Sequence, residues 1–277
     1  MSDPWKADEP IKEENFINES ERDSATPAND EYKLVKLEDD GRFHPDFIPT
    51  KALDVQEFTA NGTWTKPSEG TQAIIEIWGA GGSGGARANN STSLASGGGA
   101  GAYRRFIVAL TDLNATEPVV VGVGGAARST TSAQNGASGG SSSFKGITVN
   151  GGAGGSTETG INSAPGGAGG SGQSFGEAGA NGGVGGPTNT AGNGSSSLFA
   201  GSGGGGASSS GTTTGFIGTG GTSTFFTTSG GNGGASGGAN ATAQNGGVAS
   251  GGGGAACDGG TAVSGAGGDG FVRVTVF

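Results

Sequence analysis

The sequence predicts a mostly irregular, all-β protein: a small β-sandwich leading into a bundle of packed polyglycine-II helices, with almost no α-helix. Three observations carry this. From Val123 to Gly270 about one residue in three is glycine. Those glycines are phased, with GG-x-GG at Gly151–Gly155, Gly166–Gly170, Gly182–Gly186 and Gly230–Gly234. Clear strand signals stand at both ends of the region.

A period of three is neither the 3.6 of an α-helix nor the 2.0 of a strand. It matches the left-handed polyproline-II helix, which makes no internal hydrogen bonds. Buried N–H and C=O groups must then find partners laterally, and GG-x-GG turns two bare backbone edges toward neighbours while x points outward. Ordering glycine is entropically costly, so lateral N–H···O bonds and Cα–H···O contacts of about 0.5–1 kcal/mol each must drive it. Phasing, similar segment lengths and flanking strands argue against a flexible linker. Collagen's strict G-X-Y spacing breaks repeatedly here, and proline is almost absent from the region.

The elements follow in order. Residues 1–31 mix charge and proline without periodicity and should not fold alone. Residues 32–50, YKLVKLEDDGRFHPDFIPT, carry short apolar marks and a turn at Asp39-Asp40-Gly41; Pro45 and Pro49 keep the end extended. We read residues 1–50 as an acidic attachment segment and linker, with Trp5, Phe16, Leu34, Leu37, Phe43 and Phe47 as its contact candidates. A β-rich scaffold spans 51–122. VQEFTA and TWTKP around Asn61-Gly62 predict a hairpin, followed by strands in Thr71–Gly79, Ala102–Leu110 and Glu117–Val123. Ser142–Gly151 predicts another strand, and 271–277 closes the sandwich with Val272, Val274 and Val276 on one face. The lattice occupies 123–270. Its Ser/Thr/Asn-rich inserts carry isolated hydrophobes and should lie at the ends of the bundle.

Composition excludes several functions. The net charge of −10 is concentrated in residues 1–57, where 16 acids and 7 bases give −9. A basic nucleic-acid surface is therefore not expected. The N-terminus is acidic and polar, unlike a secretory signal, and no apolar run approaches a membrane span. With Cys257 the single cysteine, no intrachain disulfide can form. His44 is the single histidine, and the acids Glu158, Glu177, Asp258 and Asp269 are scattered, so neither nucleophilic nor glycosidic catalysis is signalled. We expect no enzyme activity, no cofactor and no metal. A cytoplasmically made, protease-hard rod without an export signal suits a virion component released by lysis.

The arrangement FTANGTWTKP…AIIEIWGAGGSGG…GGGAGAYRRF…VVVGVGGA…GGSSSFKG…GGAGG…GGDGFVRVTVF resembles the glycine-rich domain of bacteriophage tail-fibre proteins. It is similar, more loosely, to the glycine-rich tip adhesins of T-even-type phages. The resemblance covers about Val55 to Phe277, and LVKLEDDGRFHPDFIP looks like a linker following a virion-binding tip. It implies a polyglycine-II sandwich at a tail or fibre tip, whose end loops contact a bacterial surface protein or glycan. Partners would be other tail or fibre proteins through residues 1–50, and a homotrimer fits the same pattern. Receptor-contact candidates are Phe199, Phe216, Ile217, Phe225 and Phe226, aromatic or apolar residues set among hydroxyls. The alternatives are a purely structural fibre or filament subunit and, remotely, an ice-binding protein.

Overall fold

Alternation along the closing strand organises the sandwich. In Phe271–Val276 the side chains of Val272, Val274 and Val276 are buried, while Arg273 and Thr275 reach the other face. This strand pairs antiparallel with both Asp54–Phe58 and Gln72–Trp78; Tyr103–Ala109 and Gly176–Glu177 complete a five-stranded sheet. A four-stranded sheet runs Ile147–Val149, Ser142–Phe144, Thr116–Val120, Gly62–Thr65. The two sheets share one core, built around Trp64, Ile75, Ile77, Val119, Phe144 and Val274. Trp64 meets Phe144 edge-on at 5.9 Å. Each such side chain contributes about 1.5–3 kcal/mol on burial.

The computed structural model describes residues 54–88, 92–159, 163–171, 176–186, 190–210, 213–225, 229–236 and 240–277. The attachment candidates Trp5, Phe16, Leu34, Leu37, Phe43 and Phe47 lie outside the described residues, as does Phe226.

Two strand expectations are corrected. Asp54–Phe58 and Gly62–Thr65 do not pair as a hairpin, because they enter different sheets. Neither Asn61 nor Gly62 has a positive φ. Asn61 instead accepts a hydrogen bond on Oδ1 from the Val121 N–H (2.9 Å), and the Gln56 side chain bridges to the Thr65 backbone. The tight turn lies elsewhere. Ser142–Phe144 and Ile147–Val149, expected as one strand, form a hairpin around Lys145 (φ 47°) and Gly146 (φ 74°). The positive φ pair is the geometry that a two-residue hairpin turn needs.

The described residues contain no α-helix, and one 3₁₀ turn at Leu110–Asp112. Extended glycine runs bond laterally, backbone to backbone. The run 79–85 shows the rule. Gly79, Gly82 and Gly85 donate to Ala102, Gly99 and Ser96; Ala80 and Ser83 donate to Gly140 and Ala137; Gly81 and Gly84 donate to Gly268 and Gly265, all at 2.8–3.1 Å. Its carbonyls accept from further runs: Ala80 and Ser83 from Gly152 and Gly155, Gly82 and Gly85 from Gly252 and Ala255, Gly81 from Gly125. Successive residues thus address different neighbours and return to the same one every third position. This lateral bonding already involves the run 79–85, which follows directly on the strand Gln72–Trp78.

Close approach explains the composition. A Cβ added at Gly82 would lie 2.2 Å from the Ala153 carbonyl oxygen, and one at Gly167 would lie 2.4 Å from the same atom. At their far ends the runs pass into short strands such as Ala86–Arg87, Ser93–Ala95, Ala207–Ser210 and Ala255–Cys257. Small side chains, including Ala86, Ala255 and Cys257, form the packing there.

Candidate functional site

Where strands leave the five-stranded sheet for the glycine runs, three aromatic residues stand in register. Phe271 is opposite Trp78, and Trp78 is opposite Tyr103. Their ring centroids are 5.6 and 4.7 Å apart. Two loop residues cover this shelf: Phe225 stacks on Trp78 at 5.2 Å and Phe199 on Tyr103 at 5.6 Å. Such aromatic pairs add about 0.5–1.5 kcal/mol beyond the area they bury. Trp78 is fully buried, and its indole N–H donates to the Phe199 carbonyl at 2.6 Å. Phe199 remains 46% exposed, Phe225 36% and the adjacent Leu198 62%.

An acid fixes the loop that presents Phe199. The Glu177 carboxylate accepts hydrogen bonds from the backbone N–H groups of Leu198 (3.2 Å), Phe199 (2.7 Å) and Ala200 (3.0 Å), and from the Ser197 hydroxyl (3.0 Å). Burial pushes its pKa up, but these bonds outweigh burial and hold it below the usual carboxylate value. Beside the shelf runs a row of alternating charge across four strands, Glu57, Arg273, Glu76 and Arg105. Arg273 donates to Glu57 at 2.8 Å, approaches Glu76 at 3.8 Å, and lies over the rings of Phe225 and Phe271 at 5.5 and 5.6 Å. The Tyr103 hydroxyl donates to Glu76 at 2.8 Å; burial first, then this bond, raises the phenol above its ordinary pKa. Of these groups, Glu76, Tyr103, Arg105, Glu177, Phe199 and Phe225 border an open groove of about 630 Å³, within the usual range for a ligand cleft.

A model of the glycine-rich domain family matches residues 56–277. The chain belongs to this family. No curated protein matches it.

In this glycine-rich domain the receptor-contact candidates divide between two places. Phe199 and Phe225 meet at the sandwich end, with centroids 6.2 Å apart. Phe216 and Ile217 sit on the strand Thr213–Ile217, whose partner Ala207–Ser210 pairs with Ser93–Ala95. The run 96–102 separates that last strand from Tyr103, so the second pair belongs to the far end of the lattice. Both of its side chains are exposed, at 39% and 57%. Tyr103, Phe271 and Glu177 were not legible as site residues in the sequence. An available signal was position: Trp78, Tyr103 and Phe271 each flank the junction of a strand with a glycine run. Glu177 carried no comparable signal, since its partners lie 20 to 23 residues further along the chain. Among the described residues, no group of His, Cys, Asp or Glu could hold a metal ion.

Proposed function

We propose that this chain is a phage tail-fibre or tip protein. Residues 1–50 join it to other virion proteins, and the end loops of a polyglycine-II domain bind a bacterial surface receptor. The observation that carries the reading is the pattern of the glycine runs, whose threefold alternation of partners supports polyglycine-II geometry. At about 3.1 Å per residue a seven-residue run would extend roughly 20 Å. Such a body holds loops rigidly, which lowers the ordering cost of binding. Leu198, Phe199 and Phe225, exposed in loops, and Phe216 and Ile217, exposed on a terminal strand, are suitable anchors. The protein acts by binding, without catalysis or a cofactor, as part of the virion.

Labelled full-length protein should stain a bacterial host and reduce phage adsorption to it. Two double variants distinguish the ends: Phe225→Ala with Phe226→Ala, and Phe216→Ala with Ile217→Ala. Loss of a recognition anchor should weaken binding by at least about tenfold, or 1.4 kcal/mol. Staining of no host, together with assembly into filaments, would replace this reading with the structural fibre.

A further inference from the structure

The groove beside Phe199 combines apolar and polar surfaces in a way that specifies more than an apolar contact. Ile74, Phe199 and Phe225 supply apolar lining, while Glu76, Arg105 and Thr275 supply polar groups. Arg105 is exposed, and its guanidinium makes no hydrogen bond or ion pair among the described residues. Its cross-strand neighbour Glu76 has one carboxylate oxygen bonded to Tyr103; the other stands 3.8 Å from Arg273. The groove therefore offers a guanidinium that can only donate and a carboxylate oxygen that can accept. Covering both with an apolar partner would desolvate them without replacement bonds.

We propose that this groove is a saccharide site, in which a pyranose ring lies against Phe199 and Phe225 and shares its hydroxyls between Arg105 and Glu76. A pyranose has an apolar C–H face and a rim of hydroxyls that both donate and accept, so it meets all of these groups at once. The Glu177 bonds to residues 197–200 hold Phe199 in place before the sugar arrives. This deepens the receptor-binding reading and rests on it for its biological setting, while moving one contact to the flank beside the sandwich.

The test uses full-length protein and saturation-transfer NMR with methyl glycosides of hexoses, N-acetylhexosamines and hexuronic acids. At least one glycoside should receive saturation. Arg105→Ala and Phe199→Ala should each weaken that binding by about tenfold or more, Arg105→Ala with unchanged melting temperature. Arg105 is exposed, so its variant remains informative if Phe199→Ala unfolds the loop. Binding of no glycoside, or binding indifferent to both substitutions, overturns the site. If either variant loses cell adsorption although no glycoside binds, the groove takes a protein: the saccharide inference falls and the receptor reading stands. If glycoside binding depends on Arg105 but the protein adsorbs to no bacterium, the site stands and the receptor reading falls.

Discussion

Asparagine side chains extend the hydrogen bonding of the glycine runs. Oδ1 of Asn181, Asn193, Asn232, Asn240 and Asn245 accepts from the backbone N–H of Gly169, Thr219, Gly220, Thr261 and Ala266, respectively, at 2.8–2.9 Å. Each side-chain carbonyl takes the place of a neighbouring backbone carbonyl. Replacing Asn232 with Leu should cost about 1 kcal/mol by chemical denaturation, whereas Asn232→Asp, which keeps an acceptor, should cost less. Equal losses would refute the substitution of one carbonyl for another. Glu177 has a similar role with a charge. Its folded pKa lies below the ordinary 4.5, so its stabilising contribution is present above that value and is lost as pH falls through the depressed pKa. The amide resonances of Leu198, Phe199 and Ala200 should therefore titrate together with a midpoint below 4.5; a midpoint at or above it would exclude this anchoring role.

At the scale of elements, glycine serves two separate needs. At Gly146 a Cβ would meet open space, but the φ of +74° favours glycine there; Gly167 has no room, because the Ala153 oxygen would be 2.4 Å from its Cβ. Gly167→Val should destabilise the protein by well over the ~0.5 kcal/mol typical of surface changes, while Val184→Ala, at an exposed outward position, should stay near that limit. Comparable denaturation midpoints for the two variants would contradict inward packing at Gly167. The closing strand was legible in the sequence because Val272, Val274 and Val276 alternate with Arg273 and Thr275. Phased glycines likewise pointed to lateral bonding. Partner choice was not legible: Asn61-Gly62 has turn chemistry, yet its flanking strands enter different sheets. The grouping of Phe199 with Phe225, and the separate place of Phe216, depend on which end of a run each loop meets. That assignment needs the whole set of hydrogen bonds.

For the whole molecule, the bonds described above tie the sandwich to the glycine runs within residues 54–277. Removing residues 1–50 should leave a protein with the same melting temperature that fails to enter virions. Incorporation of the truncated chain into particles would end the attachment role proposed for that segment. The threefold lateral bonding has another consequence, for evolution. Cohesion of the runs comes from backbone groups that every amino acid possesses, provided that no inward Cβ intervenes. Outward residues and the inserts between runs can then diverge while the bonding scheme is inherited unchanged. Under the receptor-binding role proposed above, selection on host range would rewrite the loops many times over without having to rediscover the fold.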